Sequence, residues 1–340
     1  MTVRYIPLFA ALLLTATAAA EPFQAQAKMT DAEAAAALAA FAENLEGRSI
    51  VGEPAIVDCK LSGGTKAICF RVTMTPTPTR YQPGPWCPGN IADGSDKSGI
   101  WLDKGKVYDA DGAFIKNLAT FYKDPRWQLF DPATGKIKVT DSKASCAGAA
   151  RPDVDPKYQN YCVECLPSYL NPQPTLTFVI PARPVKARST TPLSQFTGAG
   201  LALNGVRFDA PAPVGAILDA HTLAPFDDCG GHVNLHVGYH YHAATGCTKE
   251  VAQPARHAPM IGMAMDGYGI HTRRNEDGSE PKNLDACRGH NFAGIGYHYH
   301  VSEPGANQLI GCFSGEHGCA LRLPDQTCDA SRSPPRPPRR

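Results

Sequence analysis

A motif that occurs twice restricts the fold of this chain more than any other feature. An offset of 58 lays Asp227-x-Cys229-x-Gly231-His232 on Asp285-x-Cys287-x-Gly289-His290, and Gly238-Tyr239-His240-Tyr241-His242 on Gly296-Tyr297-His298-Tyr299-His300. Upstream of each copy lies a related turn, Asn204-Gly205-Val206-Arg207-Phe208 and Asp266-Gly267-Tyr268-Gly269-Ile270, displaced by 62, so the repeat spans about sixty residues. All eleven histidines lie from His221 onward, which chance placement would not produce. A small β unit that has been duplicated accounts for both patterns.

Strand geometry gives the spacing a chemical meaning. Alternate side chains share a face, so Tyr239 and Tyr241 point one way while His240 and His242 point the other. With Ala293-Gly294-Ile295 as a three-residue loop, His290 and His298 become direct cross-strand partners, and His290, His298 and His300 project from one face. The same register, with Leu235-His236-Val237 at the tip, gathers His232, His240 and His242. Each tyrosine pair then packs on the opposite, buried face.

Three converging imidazoles are rigid neutral nitrogen ligands with a coordination position left over, which suits a transition metal. Copper is favoured over zinc by the order of divalent affinities. Oxygen-preferring calcium and magnesium are disfavoured by the lack of paired carboxylates. The expected ligands are therefore His232, His240, His242, His290, His298 and His300. Asp227 and Asp285, at matching positions, are read either as acceptors for the outer imidazole N–H groups or as turn caps. His221, His236, His257, His271 and His317 have no duplicated partner and are read as exposed or hydrogen-bonded side chains rather than ligands.

At these residues the chain resembles the YHYH protein family, whose tetrapeptide stands at 239–242 and again at 297–300. The resemblance runs from about Leu201 to Gly315 and takes in Asn204-Gly205-Val206, Met265-Asp266-Gly267-Tyr268-Gly269-Ile270 and the closing Gly311-Cys312-Phe313-x-Gly315. It implies an exported protein, from a family known chiefly as exported proteins of undefined function. His271 departs from the pattern, since related sequences tend to carry Tyr there.

The N-terminus agrees with export. Arg4, an apolar run over 6–14 and Ala18-Ala19-Ala20 have the plan of a cleaved signal peptide. The run is shorter than the ~20 residues of a membrane span, and no later segment offers one. The twelve cysteines, an even number in an oxidising compartment, are expected to form disulfides. Cys59 is expected to pair with Cys69, Cys229 with Cys247 and Cys287 with Cys312. Cys162 and Cys165 are read as half-cystines with different partners, and Cys319 and Cys328 either pair together or reach back. A formal net charge of +1 leaves nucleic acid and anionic membrane without an electrostatic claim on the chain.

The expected architecture is mainly β. A signal peptide at 1–20 precedes a smaller α+β, disulfide-stapled N-terminal region at 21–185; a duplicated, hairpin-based YHYH domain follows at 186–330, then a disordered tail at 331–340. Within the N-terminal region, Thr30 and Glu33 predict a capped helix over 30–45, residues 55–60 and 66–73 a hairpin, and residues 101–108 and 127–140 short strands, with Asp131-Pro-Ala-Thr-Gly135 as a turn between two of them. The functional expectation is a periplasmic or secreted protein that binds a transition metal through two three-histidine clusters. Two alternatives stand beside it: a metal-dependent extracytoplasmic enzyme, oxidoreductase or hydrolase, with Asp227, Asp285 or Asp266 as proton acceptor, and a disulfide-stapled surface interaction module. No Gly-x-Ser-x-Gly elbow, phosphate loop or dinucleotide fingerprint is present, so serine-hydrolase, nucleotide and NAD chemistry have no support.

Overall fold

A computed structural model describes residues 29–332 apart from 152, 172, 173 and 324. The expected signal peptide, and residues 333–340 of the expected tail, lie outside the described residues. Helix α1 (Asp31–Asn44) starts at Thr30. The Thr30 hydroxyl accepts from the Glu33 amide at 3.2 Å while the Glu33 carboxylate accepts from the Thr30 amide at 2.7 Å, the reciprocal cap its sequence foretold. Strands β1 (Ala55–Lys60) and β2 (Lys66–Met74) form the expected hairpin, with Cys59 bonded to Cys69.

Two local expectations need correction. Residues 101–108 are not one strand but the hairpin of β3 (Ile100–Asp103) and β4 (Lys106–Asp109), reversed at Lys104 and Gly105, both at positive φ. Residues 127–140 form no ladder among the described residues, only isolated bridges such as Phe130 with Ile137. The expected turn at Asp131–Gly135 does form, the Asp131 carboxylate accepting from the Ala133 amide and the Thr134 hydroxyl. Short helices α2 (Gly112–Lys116), α3 (Leu118–Phe121) and α4 (Lys143–Ala149) surround this part. Its own apolar cluster includes Trp101, Ile115, Leu118, Trp127 and Leu223.

Strand β5 (Leu176–Pro181) joins β2, and β6 (Lys186–Thr191) leads into the duplicated region. The first copy comprises β7 (Gly200–Ala202), β8 (Arg207–Phe208), helix α5 (Val214–Asp219), β9 (Gly231–Asn234) and β10 (Gly238–Tyr241). The second comprises β11 (Met260–Ala264), β12 (Gly269–His271), β13 (Gly289–Phe292) and β14 (Gly296–His300). Strands β15 (Phe313–Gly315) and β16 (Cys319–Leu321) close the chain, β15 against β6 and β16 against β5.

The eight strands of the duplication make one sheet in the order β13-β14-β12-β11-β7-β8-β10-β9, which reads the same from either end once the copies are matched. Its centre is the antiparallel β7–β11 pair, where Leu201 faces Met263, its own counterpart at the 62 offset. Gly200 faces Ala264 and Ala202 faces Gly262, so each residue meets the mirror position of the other copy. The two copies therefore associate as an isologous dimer does, through one self-complementary strand edge, inside a single chain. That edge pairing also protects both central strands from pairing with other chains.

The four-stranded sheet has the order β1-β2-β5-β16, so it takes strands from both sides of residue 185. One apolar cluster joins Phe70, Val72, Phe178 and Ile180 of this sheet to Leu201, Tyr239, Tyr241, Ile270 and Tyr299 of the larger one. All twelve cysteines are paired: besides Cys59–Cys69, the bonds are Cys87–Cys162, Cys146–Cys165, Cys229–Cys247, Cys287–Cys312 and Cys319–Cys328. Every pairing expected from the sequence forms, and Cys162 and Cys165 do take different partners. Six disulfides belong to an oxidising, extracytoplasmic setting. Among the described residues no helix is long and apolar enough to cross a membrane.

Candidate metal centres

Both histidine hairpins adopt the register that alternation required. His240 pairs with His232 across β9 and β10, and His298 with His290 across β13 and β14, with three residues at each tip. The tyrosines turn to the other face. Tyr239 donates to the Asp227 carboxylate at 2.8 Å, and Tyr297 donates to Asp285 at 2.7 Å. Each ring crosses over the glycine that precedes the first cluster histidine of its copy, Gly231 before His232 or Gly289 before His290, where a Cβ would collide with it. This close approach explains a glycine at that place in both motifs.

Asp227 and Asp285 thus do not accept from imidazoles. Each caps its turn, accepting from the amides of Cys229 and Gly231, or of Cys287 and Gly289, and each anchors a tyrosine behind the sheet. Asp266 lies on the tyrosine side too, accepting from Tyr299 at 2.5 Å. The carboxylates named as proton acceptors for an enzyme are therefore separated from the imidazoles by the sheet itself, because successive strand residues point to opposite faces.

On the histidine face, ligand nitrogens of His232, His240 and His242 come within 4.8 Å of one another, as do those of His257, His290, His298 and His300. All six expected histidines gather into two groups of three, and a fourth histidine joins the second. His257 corrects the sequence reading. It follows the short turn Pro254–Arg256, is 3% exposed, and stacks on Phe292 with ring centres 4.1 Å apart. Nothing in its neighbourhood repeats in the first copy, so periodicity could not reveal it. His271, read as a hydrogen-bonded side chain rather than a ligand, is that: it is buried with its ring 4.3 Å from that of His298 and its Nδ1 against the Ala258 carbonyl at 2.7 Å, outside the group of four. The other three stay apart: His221 meets Asp124 at 2.9 Å, His317 meets the Gly318 carbonyl, and His236 is exposed at a hairpin tip.

Hydrogen bonding fixes the tautomers where they matter. Nδ1 of His298 faces the Gly296 carbonyl and Nδ1 of His300 faces the Thr272 carbonyl, each at 2.9 Å. A carbonyl only accepts, so both Nδ1 atoms carry hydrogen and both neutral rings present a bare lone pair at Nε2. Those two Nε2 atoms lie 3.0 Å apart. His257 Nε2 is 2.8 Å from that of His298, and His290 Nε2 is 3.1 Å from that of His300. Two nitrogens bound to one first-row ion at roughly 2.0–2.1 Å sit about 2.8–3.4 Å apart, depending on geometry. The observed spacings fall in that interval.

A proton shared between the two lone pairs is the other way to relieve their repulsion, and burial opposes it. Burial pushes His298 down to about 4 and His300 down to about 3. In the first cluster His240 Nδ1 likewise faces a carbonyl, that of Gly238 at 2.9 Å, while the buried Nδ1 of His242 has no partner. Burial lowers His232, His240 and His242 as well.

These shifts set a pH dependence for the metal-free chain. Because the folded values lie below the ordinary 6.5, the unfolded chain binds more protons below that pH, and stability falls as pH drops from about 6.5 toward 4. Asp227 and Asp266, each pushed up to about 6 by burial, act in the opposite direction below pH 6 but are fewer than the imidazoles. Denaturant midpoints of metal-free protein at pH 7.5 and 4.5 test the sign. Equal midpoints would mean that the clusters are not buried as neutral imidazoles.

Comparison with known proteins agrees with the resemblance carried by the tetrapeptides. The family model described as YHYH protein matches residues 177–283. The match takes in β5, the whole first copy and the His257 and His271 segment, and ends before β13, short of the boundary at Gly315 expected from the motifs. No curated protein and no solved structure matches the chain.

Proposed function

With the YHYH-family match over residues 177–283 as its starting point, we propose that the chain is a periplasmic or secreted protein that binds transition-metal ions, copper in preference to zinc, through its two histidine clusters. The observation that carries this reading is the 3.0 Å contact between the Nε2 lone pairs of His298 and His300. Both rings are held in that tautomer by carbonyls, and neither is a ready base where it is buried, so a cation between them removes a repulsion the fold otherwise maintains. Imidazole nitrogen suits copper and zinc alike, and the order of divalent affinities favours copper. The disulfides fit a compartment in which such a protein meets metal outside the cytoplasm.

Elemental analysis of protein purified without a histidine tag is the direct test. Two ions per chain are expected, and His240→Ala with His242→Ala should leave one. An untagged chain that takes up no copper or zinc on dialysis, or a double variant with undiminished metal content, would overturn the reading.

A further inference from the structure

The two clusters arise from one duplicated motif but are not chemically equivalent. Parallel pairing of β8 with β10 sets Phe208 beside Tyr241, and pairing of β12 with β14 sets Ile270 beside Tyr299. One residue further on, Asp209 therefore holds in the first copy the place that His271 holds in the second. Asp209 is 2% exposed, forms an ion pair with the equally buried Arg207 at 3.0 Å, and lies 3.9 Å from Nε2 of His240. The first cluster thus has a carboxylate and a guanidinium beside it where the second has only neutral imidazole.

The fourth ligand differs as well. In the second cluster His257 supplies a fourth nitrogen, held in place by the Phe292 ring, by the Ala258 amide donating to Asn275 at 3.1 Å, and by the Glu276 amide donating to the Arg256 carbonyl. Beside the first cluster stands Phe226, fully buried, its ring centre 4.8 Å from that of His232 and 5.2 Å from that of His242. Phenylalanine has nothing to donate to a metal. Phe226 is itself fixed by two backbone hydrogen bonds to Ile100, at 2.6 and 2.9 Å, and its ring stacks on Trp101. The N-terminal hairpin therefore holds a hydrocarbon wall beside the first cluster, whereas the second cluster has an additional imidazole beside it. Among the described residues no fourth nitrogen, thiolate or carboxylate completes the first cluster.

We propose that the two sites differ in kind. The four imidazoles of His257, His290, His298 and His300 saturate their ion, whereas His232, His240 and His242 leave a position for an exchangeable ligand, water or a small anion. The inference rests on the metal-binding reading above and adds a division of labour to it. Asp209 accepts a hydrogen bond from a bound water, and Arg207 offers a compensating positive charge when an anion takes its place. Sites with three protein ligands and one open position are where metal chemistry takes place, and fully ligated sites are structural.

Cobalt(II) in the full-length protein, titrated with azide and followed by its visible absorption, tests this directly. With two cobalt ions bound, the spectrum of one should change with azide and that of the other should not. His257→Ala opens the second site and should raise the number of responsive ions from one to two. A response from both ions of the unaltered protein overturns the inference, and so does a response from neither, the result expected if Asp209 itself moves in as fourth ligand. Failure to bind cobalt, copper or zinc at all overturns the metal-binding reading together with this one. Cobalt that binds without the asymmetry overturns only the inference.

Discussion

His298→Ala together with His300→Ala is expected to remove one metal ion and, in a thousandfold excess of metal over the Kd, to cut the metal-linked stabilisation by about 4 kcal/mol. The magnitude follows from mass action, because an ion that binds the folded chain and not the unfolded one stabilises it in proportion to the logarithm of saturation. Both side chains are fully or almost fully buried, at 0% and 1% exposure, so truncation also creates space. In the metal-free state that loss is partly offset, since the variant no longer holds two lone pairs 3.0 Å apart. The signature is therefore an interaction with chelator. Unfolding midpoints of the unaltered protein should fall sharply when EDTA strips the metal, and those of the double variant should fall by the contribution of the remaining site alone. Equal chelator sensitivity in the two proteins would show that the second cluster holds nothing.

Tyr299→Ala is expected to cost about 3–5 kcal/mol of folding free energy from the cavity alone. The ring is fully buried in the core between the sheets. Its hydroxyl donates to Asp266 at 2.5 Å and accepts from the Ser314 amide at 2.7 Å. Asp266 is itself 0% exposed, and one of its carboxylate oxygens has no partner even in the unaltered protein. Tyr299→Phe separates the two contributions, since it keeps the ring and strands the polar groups, at a cost of about 1–3 kcal/mol. Denaturant titration of the two variants reads both. A Phe variant as damaged as the Ala variant would mean that the Asp266 hydrogen bond, and not packing, dominates at this position. Metal content should be unchanged in either, because the tyrosines and the histidines lie on opposite faces of one strand.

Much of the site was legible in the residues because the information was local. A period of two along β10 and β14, with three-residue loops between paired histidines, leaves little freedom in where His232, His240, His242, His290, His298 and His300 can point. The disulfides were legible for a related reason, since Cys229 and Cys287 match at the 58 offset and each bonds to a cysteine that follows the histidine strand of its own copy, Cys247 or Cys312. The roles of Asp227 and Asp285 were only half legible. Their turn-capping function follows from sequence spacing, but their tyrosine partners depend on how each ring crosses Gly231 or Gly289.

The chain by itself determined the repeat, the pairing register and the separation of imidazoles from tyrosines, because these depend on bond geometry over a few consecutive residues. Only the tertiary structure decided that His257 completes one cluster while Phe226 walls the other. These features come from loops and from a hairpin of the N-terminal region, brought to the site by packing between segments far apart in sequence. Contacts of that kind leave no periodic trace in the residues that make them.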